Sequence, residues 1–203
     1  MKTYPHITKE IRNDIYIWAF QKIDGSMIRG EWNDKKGFYK FGTKTQLMDE
    51  RTWFWGNAIA LIKNKYEADL TKIFKEQKWT NVLCFFEYYG AASFAGNHNF
   101  QEPMDVILID VDAIKQGILV PIKFIKLFEH LDIPKVCYEG YATTELFDQV
   151  KQSTLPGMSY EGVVAKGIDN KKKLIMFKIK SQAWLNKLKE HCKGNDQLFE
   201  KLC

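Results

Sequence analysis

A lysine followed by an Asp-Gly pair stands close to the start of the chain, in the stretch Lys22-Ile23-Asp24-Gly25. Lys22 comes directly after a very apolar run. An amine is a nucleophile only when neutral, and burial or a neighbouring positive charge lowers a lysine pKa from its ordinary value of about 10.4. The position therefore suits a nucleophilic amine. The competing interpretation is an exposed lysine beside a turn, because Asp-Gly is a common turn pair.

Two glutamates further along the chain stand in apolar surroundings. Glu87 lies within "NVLCFFEYYG", where an unpaired carboxylate would be costly, so it needs either a ligand or a structural cation. Glu161 and Lys166 are five residues apart in a predicted strand, an odd separation that places them on opposite faces if the pairing is regular. We therefore do not expect these two side chains to share one task.

A pair of lysines lies at the C-terminal end of the last apolar stretch that predicts a strand. Lys178 and Lys180 are two residues apart, so they share one face of the strand and leave Ile179 to point into the core. Two lysines side by side can bind phosphate. An ordinary solvated strand face is the alternative interpretation.

These residues belong to five short stretches, "KIDG", "FFEYYG", "DVILIDVD", "EGVVAK" and "FKIK". In this order they resemble the motifs of the covalent nucleotidyltransferases, which include ATP-dependent RNA and DNA ligases and mRNA-capping guanylyltransferases. The phage-type RNA ligases resemble them most. The resemblance covers residues 22 to 180. It implies an α+β fold, a nucleotidyltransferase domain of the ligase adenylation (ATP-grasp-like) kind with antiparallel sheets flanked by helices.

The resemblance also implies a role for each matching residue. Lys22 would attack the α-phosphate of ATP and carry AMP, and the catalytic set would be Lys22, Glu161, Lys178 and Lys180. The nucleotide would be bound by Ile23, Asp24, Gly25, Lys44, Glu87, Ile109 and Lys166, with Glu87 on the ribose hydroxyls. Asp24 and Glu161 would bind a divalent metal, Mg²⁺ or Mn²⁺. Such a metal would offset two carboxylates that otherwise favour the protonated form of Lys22.

Two positions depart from the pattern of many relatives. Met27 stands where an arginine often follows the nucleophile, and Arg29 cannot simply replace it. Ile109 stands where an aromatic residue often stacks on the base, so an aliphatic contact would take its place.

Only residues 181–203 follow Lys180. We expect them to form a C-terminal helical extension and not the OB-fold domain of DNA ligases and capping enzymes.

The pattern of apolar residues is typical of one α+β domain that spans residues 1–203. Strands are predicted at 14–23, 26–34, 38–45, 81–90, 104–113, 134–140, 160–168 and 173–180. Two helices are predicted between Met48 and about Trp79, and others from Pro121 to about Leu131, from Thr144 to about Gln152 and from Ser181. We expect Trp53, Phe54 and Trp55 in the core of a helix and not as stacking platforms for nucleic acid.

The composition favours a folded protein of a reducing compartment. The 203 residues are 45% hydrophobic, which excludes a disordered chain, and no apolar run approaches the length of a membrane span. Four dispersed cysteines argue against a disulfide framework and a structural zinc site. The net charge of +5 leans toward a polyanionic partner. We expect a monomer without membrane association in the cytoplasm of a bacterium or a phage-infected host.

The sequence thus predicts an ATP-dependent ligase that joins 5′-phosphate and 3′-hydroxyl ends of RNA. DNA ends and RNA–DNA hybrids stay open as partners. The alternatives are a compact ATP-dependent DNA ligase with the same chemistry and a catalytically silent module that binds nucleic acid. The presence of Lys22, Glu161, Lys178 and Lys180 argues against the silent module, because a decayed site would be expected to lose at least one of them.

Overall fold

The computed structural model describes residues 1–5, 7–10, 12, 13, 15–91 and 103–203. Within them the chain forms two compact units. The six-stranded unit contains the described residues of 1–5 and 25–133, and the four-stranded unit contains those of 7–24 and 134–203. Both units consist of an antiparallel sheet with helices, so the predicted α+β class is confirmed.

The described elements follow one another along the chain as strands with interspersed helices. The strands are β1 (Tyr16–Gln21), β2 (Gly25–Asn33), β3 (Gly37–Gly42), β4 (Leu47–Met48), β5 (Asn81–Tyr89), β6 (Asp105–Ala113), β7 (Gly117–Ile118), β8 (Val136–Tyr141), β9 (Gly162–Ile168) and β10 (Leu174–Lys180). The helices are α1 (Gly56–Glu76), α2 (Pro121–Phe128), α3 (Thr144–Lys151), α4 (Gln182–Cys192) and α5 (Asp196–Leu202). In the part of the chain described, no helix has the length and apolar character needed to cross a membrane.

Every predicted strand is present, with ends that differ by a few residues. The first predicted strand began at Asp14, which lies outside the described residues, and the observed strand begins at Tyr16. The sequence did not predict β4 and β7, which have two residues each and are too short to show an alternating pattern. The sheet orders are β4-β3-β2-β5-β6-β7 in one unit and β10-β9-β1-β8 in the other.

The stretch 48–79 contains one helix, so the prediction of two helices is wrong. The Asp49 carboxylate accepts a hydrogen bond from the backbone N–H of Arg51 at 2.9 Å, and side-chain bonds of this kind compete with helix formation. Phe54 then adopts a φ of 64°, which a helix cannot include. The helix α1 consequently begins only at Gly56.

The prediction that three aromatic residues lie in a helix core is also wrong. Trp53 is 88% exposed and Phe54 is 37% exposed, and both precede α1. Trp55 is half-buried at the N-cap of α1. The buried face of α1 is formed instead by apolar residues at helical spacing, among them Ile59, Ile62, Tyr66, Leu70 and Phe74.

The C-terminal residues form two helices, and α2 ends at Phe128, earlier than predicted. Lys193 and Gly194 both have positive φ, at 46° and 81°, and this left-handed turn ends α4. The side chain of Asn195 then accepts a hydrogen bond from the backbone N–H of Leu198 at 3.0 Å and caps α5.

The two faces of the four-stranded sheet have different characters. One face packs against α3 in a buried core that includes Ile17, Ala19, Val163, Ala165, Phe177 and Ile179. Residues that pair directly across neighbouring strands point to the same face of a sheet. Lys178 pairs with Val164, Lys180 pairs with Gly162, and Phe20 also pairs with Val164. Because side chains alternate along a strand, Val164 and Lys166 point away from the core, and the second face carries Phe20, Lys166, Lys178 and Lys180. We refer to it as the lysine face.

Gly162 determines how the chain enters β9. Its φ is 130°, and a Cβ atom there would lie 2.1 Å from the carbonyl oxygen of Ile179 and 2.9 Å from the Cα atom of Lys180. Only glycine allows this approach. The residue before it, Glu161, is therefore held beside the end of β10.

We expect Gly162→Ala to lower the free energy of unfolding by about 2–4 kcal/mol, because the added methyl group overlaps the backbone of β10. The matched control is Gly157→Ala, since Gly157 also has a positive φ, 76°, but nothing lies within 4 Å of its missing Cβ. That change should cost only about 1 kcal/mol of left-handed strain. Urea unfolding of both variants measures the difference, and equal losses would contradict the packing argument.

Candidate active site

A buried carboxylate joins the ends of two strands in the four-stranded unit. The Oε2 atom of Glu161 lies 3.0 Å from Nζ of Lys22, and its Oε1 atom lies 3.0 Å from Nζ of Lys180. The Glu161 side chain is only 4% exposed, compared with 21% for Lys22 and 7% for Lys180. Each oxygen of the buried anion therefore faces one ammonium group, which offsets the cost of its burial.

Backbone hydrogen bonds hold this arrangement in place. The N–H of Lys22 donates to the carbonyl of Gly162 at 3.0 Å, and the N–H of Ser181 donates to the carbonyl of Glu161 at 3.0 Å. The Ser159 hydroxyl lies 2.5 Å from the Lys22 carbonyl oxygen and 2.9 Å from that of Gly162. Because a hydroxyl has one hydrogen, Ser159 donates to one of these carbonyls at a time. The end of β1 is thus fixed against the start of β9.

Aromatic rings contact two lysines of the lysine face. The Nζ atom of Lys180 lies 3.5 Å from the ring centroid of Trp184, and that of Lys166 lies 4.9 Å from the ring centroid of Phe20. The backbone of Trp184 is held at the N-terminus of α4, where its main-chain N–H donates to the hydroxyl of the N-cap residue Ser181 at 3.0 Å. Lys180 therefore contacts both a carboxylate and an aromatic face, and these contacts offset part of the cost of burying its ammonium group.

The prediction that Glu161 and Lys166 lie on opposite faces required regular strand pairing, and that condition is not met. Glu161 precedes β9 and is not part of the regular strand. The φ of 130° at Gly162 interrupts the alternation, and the Glu161 carboxylate contacts Lys180, which shares the lysine face with Lys166. The five-residue separation of Glu161 and Lys166 in the sequence does not reveal this change of side-chain direction at Gly162.

The lysine face concentrates positive charge. The pKa of Lys178 is lowered to about 8, first by burial and then by the positive charges of Lys180, Lys22 and Lys9. Its Nζ atom donates to the main-chain oxygen of Cys203 at 2.6 Å, and the negative charge at Cys203 partly opposes this lowering of the pKa. Burial also lowers the pKa of Lys180. An anion bound at this face would stabilise the charged form of both lysines.

Three further predicted residues lie in the six-stranded unit. Glu87 is half-buried in β5, opposite Met27 of β2. Ile109 lies in β6 where its register with β5 shifts, and Lys44 is exposed in the turn between β3 and β4.

The predicted residues Ile23, Asp24 and Gly25 follow Lys22 directly. Ile23 and Asp24 are half-buried and follow the end of β1 along the chain. Gly25 is the first residue of β2, where a Cβ atom would lie 2.4 Å from the carbonyl oxygen of Tyr88. Glycine is therefore required at this position for the close approach of β2 to β5.

Sequence reasoning assigned no role to the N-terminal segment, which covers two buried aspartates of β6. The hydroxyl of Tyr4 donates to Asp110, and Nζ of Lys2 lies 2.5 Å from Asp112. Both aspartates are 0% exposed. The apolar neighbours in "LIDVD" indicate that these carboxylates would be buried and need partners, but they do not identify the partners. Arg29 is also structural, since it donates to the carbonyl of Lys2 at 2.9 Å.

The two predicted metal ligands, Asp24 and Glu161, both belong to the four-stranded unit. Within the described residues, no group of three or more His, Cys, Asp or Glu side chains could hold a metal ion. Mg²⁺ is commonly bound by one or two carboxylates together with substrate phosphates and water. Glu161 and Asp24 offer oxygen ligands of this kind.

The lowered pKa of Lys178 predicts a specific pH dependence of stability. The folded pKa of about 8 lies below the unfolded value of about 10.4. Between these pH values the unfolded state binds more protons, so this group makes unfolding less favourable as the pH rises. We therefore expect Lys178→Met to stabilise the protein most below pH ~8 and progressively less toward pH ~10.

Urea unfolding of the wild type and Lys178→Met across this pH range measures the effect. Lys151→Met, at the exposed end of α3, is the control and should not change the pH profile. Tyrosines with raised pKa values titrate in all three proteins, so their contribution cancels in the differences. A constant difference between Lys178→Met and the wild type would contradict the lowered pKa.

Solved structures of RNA ligases have the same fold as this chain. An aspartate-to-alanine variant of the Naegleria gruberi RNA ligase, without ligand, matches 94% of this chain and 59% of its own, with a TM-score of 0.68 and 16% identity. A glutamate-to-alanine variant with AMP and Mn matches 92% and 59%, with a TM-score of 0.66 and 16% identity. A lysine-to-alanine variant with ATP and Mn matches 86% and 52%, with a TM-score of 0.63 and 17% identity.

No protein-family model and no curated protein matches the sequence. The chain spans between about half and three-fifths of the length of the solved ligases. At 16–17% identity the likeness shows the fold alone. The chain therefore has the fold that is seen in these RNA ligases.

Proposed function

We propose that this chain is an ATP-dependent RNA ligase that joins 5′-phosphate and 3′-hydroxyl ends through a lysyl-AMP on Lys22. The observation that carries the proposal is the pair of contacts that Glu161 makes with Lys22 and Lys180. They bring the candidate nucleophile, a carboxylate and a candidate phosphate-binding lysine together at one end of the sheet. The RNA ligase fold supports the same reaction class, as do the neighbours solved with ATP or AMP and Mn.

In the first step, Nζ of Lys22 attacks the α-phosphorus of ATP. A nitrogen–phosphorus bond forms, the bond from the α-phosphorus to the bridging oxygen breaks, and pyrophosphate leaves. The Lys22 ammonium must first lose a proton, and the Glu161 carboxylate is an acceptor within hydrogen-bond reach at 3.0 Å. Lys178 and Lys180 favour this step because their charges stabilise the phosphates and the neutral form of Lys22.

In the second step, an oxygen of the RNA 5′-phosphate attacks the α-phosphorus of the lysyl-AMP. This bond replaces the one to nitrogen, so Lys22 is released as an amine and the RNA carries AMP at its 5′ end. In the third step, the 3′-hydroxyl attacks the 5′-phosphorus, loses its proton, and AMP leaves. Lys22 has no covalent role in this last step, whereas the groups that stabilise phosphate charge are needed throughout.

The remaining assignments extend the proposal to the nucleotide and the metal. Contacts with the nucleotide are assigned to Ile23, Asp24, Gly25, Lys44, Glu87, Ile109 and Lys166. Asp24 and Glu161 would hold Mg²⁺ or Mn²⁺, which when bound would shield the charge of the phosphates. We propose that residues 1–203 act as one adenylation domain and as a monomer. The four free thiols support a reducing, cytoplasmic setting.

The first step predicts covalent labelling of the protein. Incubation with α-labelled ATP and Mg²⁺, followed by a denaturing gel, should give a labelled band for the wild type. Lys22→Met should abolish the label because it removes the nucleophile while Glu161 keeps its contact with Lys180. Lys180→Met should reduce the label by at least about tenfold, since one phosphate-binding charge is lost.

Lys151→Met is the control for these variants and should be labelled like the wild type. Label that persists in Lys22→Met, or that comes from GTP and not from ATP, would contradict the assignment of Lys22 as the residue that is adenylylated by ATP. A folded wild-type protein without any label would favour the silent nucleic-acid-binding module.

A further inference from the structure

An exposed tryptophan stands out on the six-stranded unit. Trp53 is 88% exposed, more than any other large apolar residue of the described chain, and the neighbouring Phe54 is 37% exposed. Neither ring belongs to the core beneath α1. The assigned nucleotide-binding and catalytic residues do not include them, so the proposed adenylation chemistry does not explain their exposure.

The loop that presents Trp53 is held in place by its own hydrogen bonds. The Asp49 carboxylate accepts from the backbone N–H of Arg51 at 2.9 Å and from the hydroxyl of Thr52 at 3.2 Å. The carbonyl of Thr52 accepts from the N–H of Gly56 at 2.8 Å, which ties the loop to the start of α1. A tryptophan on such a loop is held ready for a partner and does not have to be ordered on binding.

The rings behind Trp53 form an aromatic cluster. The ring of Phe54 lies 5.9 Å from that of Trp53, 4.8 Å from that of Trp55 and 5.6 Å from that of Tyr88. Tyr88 is buried in β5, so the cluster is anchored to the sheet. Phe54 reaches this position with a φ of 64°, a region that bulky residues rarely adopt.

The charges of the loop favour a polyanion. Arg51 is exposed, and in the part of the chain that the structure describes its side chain forms no ion pair. The two nearby acidic residues are engaged, since Asp49 bonds within the loop and Glu50 lies 3.0 Å from Nζ of Lys63. A free guanidinium two residues from an exposed indole is the combination that binds a phosphate beside a base.

We propose that the loop 51–55 is a stacking site for an unpaired base of a nucleic acid strand, with Trp53 against the base and Arg51 on an adjacent phosphate. Every nucleobase has an aromatic face, so such a contact tolerates any sequence. The inference rests on the proposed function for the identity of the strand as RNA. The physical requirement, a flat exposed ring with a cation beside it, is met by residues outside the proposed reaction.

The test compares strands with and without bases. Binding of fluorescein-labelled single-stranded RNA is measured for the wild type, Trp53→Ala and Arg51→Gln, together with an abasic strand of the same length. Trp53→Ala should weaken binding of the RNA by about tenfold or more and leave the abasic strand unaffected. Arg51→Gln should weaken both and reduce the salt dependence of binding. Trp53→Phe should restore part of the loss.

Tyr141→Ala is the matched control, because Tyr141 is also an exposed aromatic residue, at 62%, but lies in the four-stranded unit. It should bind both strands like the wild type. Thermal unfolding checks that Trp53→Ala folds, as expected for a side chain exposed to this degree.

The stacking site and the ligase assignment can fail separately. Trp53→Ala should become labelled by α-labelled ATP as fully as the wild type. If that label is intact and RNA binding is unchanged, the stacking site is overturned, and Trp53 serves a partner of another class. An equal loss on the abasic strand also overturns it. If no protein is labelled while Trp53→Ala still loses base-dependent binding, the stacking site stands and the ligase assignment falls.

Discussion

The buried Glu161 carboxylate, held between two ammonium groups, is the interaction on which the candidate site depends. It connects Lys22 after β1 with Lys180 at the end of β10, and both contacts are 3.0 Å. Removing one lysine would leave a buried carboxylate with half of its compensation, whereas removing the carboxylate would leave two lysines repelling each other. Gly162 is required for this arrangement, because a side chain at this position would prevent β9 from beginning so close to β10.

The same arrangement gives the two faces of one sheet different characters. Alternation along β9 and β10 sends Val163, Ala165 and Ile179 into the core with α3. The intervening positions then carry lysines whose burial and mutual repulsion oppose folding, as the lowered pKa of Lys178 indicates. Phosphate would relieve that repulsion. A face that is unfavourable in the free protein would therefore be stabilised by a bound polyphosphate, as the proposed function requires.

The sequence was sufficient where local periodicity governs the structure. The apolar strands and the shared face of Lys178 and Lys180 follow from side-chain alternation. Prediction from the sequence failed where the backbone of one residue departs from regular helix or strand geometry. The φ of 130° at Gly162 turns the Glu161 carboxylate toward the lysine face. The φ of 64° at Phe54 moves the start of α1 to Gly56, and Trp53 is consequently exposed in the preceding loop. The partners of Asp110 and Asp112 come from the distant N-terminal segment, which spacing cannot predict.

The most direct test of the account separates the nucleophile from the groups that stabilise phosphate charge. Sealing of pre-adenylylated RNA is measured for Lys22→Met and Glu161→Gln with Mg²⁺. Lys22→Met should seal within a few-fold of the wild type, because the covalent step has already been done. Glu161→Gln should be slower by at least about a hundredfold, since charge stabilisation is needed in the last step as well. An equal loss of sealing in both variants would contradict the account, because Lys22 would then have a structural role and not a covalent one.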